Sequence, residues 1–200
     1  MPGKNKKFGY KEITLEVLEA IRTRRSIRKY KTDPIDDKTL ETVLEAARWA
    51  PSWANTQCWR FIVVRDGDIK SRLANTLNAT NPAMDAIRNA PVVIAACAEL
   101  GKSGCYDGVP ATDKGDWFMF DVALAMQNLV LAAHSLGLAT VHVGHFDAKE
   151  VANILEVPEG YCVVEMTPLG YPDQQRNPRP RKELPEIVFY NQFGVSKTTG

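Results

Sequence analysis

Residues 117–136, WFMFDVALAMQNLVLAAHSL, are apolar on nearly every side of the helix they would form. A helix of that kind must be covered all round, in a protein core or in lipid. Asp121, Gln127, Asn128 and His134 interrupt it, and such groups are expensive in hydrocarbon. The segment therefore reads as the central helix of a soluble protein, with no membrane partner. Gly137 stands where a left-handed C-terminal residue would end it. One chain of 200 residues offers too little other surface to cover this helix. Two copies packing their long helices together are expected.

The remaining pattern is mixed. Ile13, Val17, Leu18 and Ile21 fall on one helical stripe, so a helix leads into residue 22. Asp36 is a candidate N-cap for a second helix with Leu40, Val43, Leu44 and Ala47 on one face. That helix should stop near Ala50, because Pro51 disfavours helical geometry before it. RFIVVRD (60–66) predicts a strand and Asp68 to about Ala79 a helix. PVVIAACAEL (91–100) predicts a central strand buried on both faces. Residues 101–116 form a Gly- and Asp-rich loop. ATVHV (139–143) and YCVVEMTPLG (161–170) predict strands around a short helix near 147–155. From about 172 to 200 the chain carries Pro178, Pro180 and Pro185, which exclude one long helix and suggest an extended arm. Residues 1–9 are polar and read as a disordered tail, leaving one domain over 10–200.

Composition narrows the partners. Lys+Arg 25 against Asp+Glu 24 leaves a formal charge of +1, which argues against a nucleic-acid surface. No apolar signal segment opens the sequence, so a cytoplasmic location is expected. Cys58, Cys97, Cys105 and Cys162 have no metal-ligand spacing, and His134, His142 and His145 do not supply it. No metal site is expected.

Against this near-neutral background, RTRRSIRKYK (22–31) concentrates six cationic side chains in ten residues. In an extended segment Arg24, Ser26 and Arg28 share a face, and guanidinium forks with a hydroxyl suit a phosphate. Asn55 and Gln57, in APSWANTQCWRF, carry amides that donate and accept at once, as a heterocycle's imide edge requires. Arg179 and Arg181 alternate in the proline-braced arm and could bring a second clamp. Walker, dinucleotide-binding and nucleophile-elbow motifs are missing from the sequence. Anion-binding walls with no catalytic team suggest an organic cofactor that carries the chemistry itself.

Together RRSIRKY, APSWANTQCWRFIVV, DVALAMQNLVLAAHSLGLATVHVG, PLGYP, RPRKEL and YNQFG resemble the FMN-dependent nitroreductase family, in the family's order over about residues 13–194. The resemblance implies an α+β fold, a mostly antiparallel sheet flanked by helices, in an intertwined homodimer with an extended C-terminal arm. It implies FMN as cofactor, with Arg24 and Ser26 at the phosphate, Arg28 near N1 and O2, and a mostly backbone contact from Arg25. Asn55, with Gln57, would meet the pyrimidine edge from either subunit. His142, Val143, Gly144 and His145 would pass the flavin, with the Gly144 amide near N5. Arg179 and Arg181 would complete the phosphate clamp.

The implied activity is ping-pong hydride transfer from NADH or NADPH through N5 to a small planar electron acceptor, such as a nitroaromatic or quinone. The alternatives are a flavin-binding module without turnover, or a branch with other chemistry such as dehalogenation or flavin destruction. Cys58 stands where the family commonly has proline. Its thiol is either an inert small residue or an oxidisable one.

Overall fold

The computed structural model describes residues 16–196. The disordered tail expected at 1–9, the stripe residue Ile13 and the last residues of the arm lie outside them. Four strands form the main sheet: β1 (Trp59–Val64), β2 (Val92–Glu99), β5 (Ala139–Thr140) and β6 (Tyr161–Gly170), in the order β1-β2-β6-β5 with antiparallel neighbours. The fold is α+β.

Strand β2 lies between two partners, which explains its unbroken apolar run. Val92, Ile94, Ala96 and Ala98 face a core shared with α2 (Asp37–Arg48) and α5 (Phe118–Ser135). Val93, Ala95 and Cys97 face the other core, built with α3 (Gly67–Asn75), α4 (Met84–Asn89) and α6 (Ala148–Ile154). The pleat sends alternate side chains into opposite layers. Helix α2 starts where Asp36 accepts from the Thr39 amide at 2.9 Å, satisfying one of the free N–H groups of its first turn.

Several boundaries differ from the sequence reading. Strand β1 ends at Val64 because Asp66 caps α3, accepting from the Ile69 amide at 2.8 Å. Helix α3 ends at Asn75 rather than near Ala79. Asn78 and Asn81 then accept from the amides of Thr80 and Ala83, and these turns lead into α4, which the sequence reading missed. The expected strand 139–143 is continuous only at Ala139–Thr140, and pairing resumes at Val143 opposite Met166. The loop 101–116 contains a short hairpin, β3 (Cys105–Tyr106) with β4 (Val109–Pro110).

Helix α1 (Val17–Thr23) departs most from expectation. Its apolar stripe faces outward, with Val17 68% and Leu18 67% exposed, and only Ala20 is buried. Helix α5 is long and apolar enough to cross a membrane. Val122, Ala125, Met126, Leu129, Val130 and Ala133 instead fill the core beside α2 and the sheet. Its opening turn leaves Met119 and Phe120 more than half exposed.

Candidate active site

The basic segment leaves α1 in extended geometry. Arg24 has ψ 134°, Ser26 bridges Thr140, and the Ile27 amide donates to the Thr140 carbonyl at 3.0 Å. Farther on, Lys31 N donates to Tyr171 O and Asp173 N to Lys29 O, each at 2.9 Å. These bonds fasten the cationic segment both to the edge of the sheet and to the root of the arm.

This segment and the arm together line an open cavity of about 600 Å³. The first segment contributes Arg22, Arg24, Arg25, Ser26 and Arg28 to its wall, and the arm contributes Arg176, Arg179 and Arg181. Among the described residues no carboxylate lines it. Arg25 Nη1 donates to the carbonyls of Arg22 at 2.7 Å and Arg24 at 2.8 Å, so much of its fork caps the end of α1. Arg24 Nη1, Arg25 Nε and Arg28 Nε are buried without a hydrogen-bond partner. Burial, followed by repulsion from Arg25 and Arg181, lowers the pKa of Arg24. Buried unpaired donors and crowded like charges are both unfavourable. A phosphate would relieve both, since its oxygens accept from guanidinium forks in charge-assisted pairs. Inorganic phosphate is therefore expected to raise the melting temperature of the ligand-free protein more than chloride does at equal ionic strength. Differential scanning fluorimetry measures that difference.

A second cavity, about 510 Å³, shares Arg24, Arg25 and Arg176 with the first and is also lined by Thr23 and His134. Thr23 Oγ1 donates to Glu19 O at 2.7 Å and lies 2.8 Å from His134 Nε2. The ring nitrogen is then the donor, which fixes the Nε2–H tautomer. Burial, then Arg24 and Arg25, push the His134 pKa down, and the neutral ring suits this bond.

Asn55 and Gln57 line neither cavity. They are exposed on the loop between α2 and β1, where Gln57 Nε2 donates to Asn55 Oδ1 at 3.3 Å. His142, Val143, Gly144 and His145 also line neither cavity. His142 Nδ1 lies 2.9 Å from Glu165 Oε1, and the His145 carbonyl accepts from Asn81 Nδ2 at 3.3 Å. A side chain added at Gly144 would meet no atom within 4 Å, while Val143 beside it is buried. Cys58 is buried. Desolvation, then Asp121 and Asp116, push its thiol up to about 12, which favours the inert reading over the oxidisable one.

A sequence model of the Nitroreductase family matches residues 21–171. The chain belongs to the nitroreductase family. It is 33% identical over 169 residues to a Methanothermobacter thermautotrophicus protein provisionally named NADH dehydrogenase/NAD(P)H nitroreductase, covering 82% of each chain. It is 28% identical to the Bacillus subtilis FMN reductase [NAD(P)H], over 88% of this chain and 74% of that one. An FMN-dependent nitroreductase from Clostridium difficile superposes with a TM-score of 0.74 and 26% identity, over 88% of this chain and 99% of that one.

Within this nitroreductase fold, two of the cavity's arginines were not among the expected site residues. Arg22 lay inside the quoted cluster. Arg176 precedes Arg179 and Arg181 by three and five residues, so the arm's arginine spacing could have disclosed it. In the sequence Asp121 stands only as a polar interruption of a long helix, and Glu165 only as part of a strand.

Proposed function

We propose that this nitroreductase-family protein is a homodimeric FMN oxidoreductase that passes hydride from NADH or NADPH to a small electron-poor acceptor. The observation that carries this reading is the arginine-walled cavity with its unpartnered buried guanidinium nitrogens. Its donors fit a phosphate monoester. Arg24, Ser26, Arg179 and Arg181 would hold the phosphate, with Arg22 and Arg176 reinforcing the field around it. FMN, when bound, supplies hydride acceptance and donation at its ring. The protein's part is to fix that ring, exclude competing geometries and tune its charge.

The second copy completes the site. Asn55 and Gln57 lie away from the arginine cavity of their own chain, and a partner subunit can bring its equivalent loop to the ring. The uncovered apolar side chains support this arrangement. They lie on α1, at the start of α5, and along the arm, where Leu184, Ile187 and Phe193 are exposed. Exposed apolar side chains in this number fit an interaction surface. All four cysteines are free, which fits a reducing cytoplasm.

Arg28 has the tuning role. A guanidinium beside the pyrimidine edge favours the charge that reduction adds there. Arg28→Gln removes that charge while keeping hydrogen-bonding ability, so the FMN midpoint potential is expected to fall by a few tens of mV. That is the scale of one screened contact, because about 30 mV corresponds to ~1.4 kcal/mol for a two-electron couple. Dye-linked reductive titration measures it, and Lys at this position should restore part of the shift.

Steady-state oxidation of NADH and NADPH, with and without a nitroaromatic or a quinone, tests the activity. Parallel double-reciprocal lines are expected for the ping-pong scheme. A yellow protein that oxidises neither nucleotide with any acceptor would be a flavin-binding module instead.

A further inference from the structure

We infer that Asp121 is a positioning residue whose carboxylate sets the shape of the loop carrying Asn55 and Gln57. The inference rests on the flavin-contacting reading of that loop given above. Asp121 is fully buried at the start of α5, and among the described residues no Lys, Arg or His forms a salt bridge with it. Its two oxygens accept from the Trp53 amide at 3.1 and 3.2 Å. The Ser103 hydroxyl donates to Oδ2 at 2.6 Å, and the Cys58 thiol lies 3.9 Å from the same oxygen. A buried carboxylate without a cation is an expensive way to stabilise a core. The geometry gives it a different use.

The loop it grips is strained. Ala54, Asn55 and Gln57 all have positive φ, at 44°, 57° and 48°. Such conformations in residues with a side chain persist only where the surroundings over-determine them. Here the far end is held by β1, where Glu99 N donates to Cys58 O at 2.8 Å and Arg60 Nη1 to Gln57 O at 3.1 Å. The near end is held by Asp121. Between these fixed points Ser52 closes the turn, its hydroxyl accepting from the Gln57 amide at 2.9 Å. Through Ser103, and through the edge-to-face contact of Tyr106 with Trp53 at 5.1 Å, the hairpin of residues 105–110 joins the same unit.

The test uses full-length protein, titrated with FMN and with riboflavin. Asp121→Asn keeps the side-chain shape but turns one acceptor into a donor. Confirmed as folded by circular dichroism, it should weaken both flavins by the same factor, about tenfold, as expected for loss of a hydrogen bond to a charged group. The equal factor follows because the loop addresses the ring and not the phosphate. Ser103→Ala, which removes one of the bonds, should produce a smaller loss with the same FMN-to-riboflavin ratio. Adding Asn55→Ala to Asp121→Asn should cost little beyond either change alone, the non-additivity of residues acting as a unit.

Wild-type affinities in folded Asp121→Asn, or losses fully additive with Asn55→Ala, would overturn the positioning role. If Asp121→Asn does not fold, unchanged riboflavin binding in Ser103→Ala has the same force. Asn55→Ala and Gln57→Ala, measured alone, separate the two levels. If neither weakens either flavin, the loop does not contact the ring, and the underlying reading falls together with this inference.

Discussion

Arg24→Ala is expected to weaken FMN binding roughly ten- to hundredfold, the effect of losing ~1.5–3 kcal/mol of charge-assisted hydrogen bonding. The same change should leave flavin-free protein no less stable, because folding crowds Arg24 against Arg25 and Arg181 and buries one of its nitrogens unpaired. The two effects have opposite signs, so they distinguish a ligand-binding arginine from a structural one. Isothermal titration with FMN and melting of the apo protein measure them separately. A variant that melts lower and binds FMN normally would place Arg24 in the architecture instead.

Removal of the arm from Arg176 onward should release FMN and dissociate the dimer together. It takes away Arg176, Arg179 and Arg181 from the cavity wall and the exposed Leu184, Ile187 and Phe193 from the surface proposed for the dimer. Light scattering of the full chain is expected to give about twice 22.3 kDa. Two milder variants divide the effect. Arg179→Ala with Arg181→Ala should lower FMN affinity and keep the dimer mass. Leu184→Ser with Phe193→Ser should weaken the dimer while leaving the arginines in place. A flavin-loaded monomer after truncation would refute the link between arm and site.

The layers of the fold were largely visible in residue patterns. The apolar run of β2 and the cap at Asp36 depend on neighbours close in sequence, and local chemistry decided both. The turns at Asn78 and Asn81 were equally local, yet they were hidden inside a stretch read as one continuous helix. Side-chain direction relative to a partner was not legible. The stripe on α1 has the periodicity of a core-facing helix, yet Val17 and Leu18 are exposed, because periodicity does not say what a stripe faces.

The site divides in the same way. Alternating arginines at 24 and 28, with Ser26 between them, followed from the geometry of extended backbone. Their meeting with residues 176–181 is long-range and follows from the pairing of residues 29–31 with 171–173 at the arm's root. Asp121 was invisible for a related reason. Its acceptors serve Trp53 and Ser103, which no spacing along α5 connects.

The central claim is that the arginine cavity exists for a flavin's phosphate. Titration of flavin-free wild-type protein with FMN and with riboflavin, followed by quenching of flavin fluorescence, tests it most directly. The account predicts one FMN per chain and riboflavin bound at least about a hundredfold more weakly, since several charge-assisted bonds go to the phosphate alone. Equal affinity for the two flavins, or no binding of either, would contradict it.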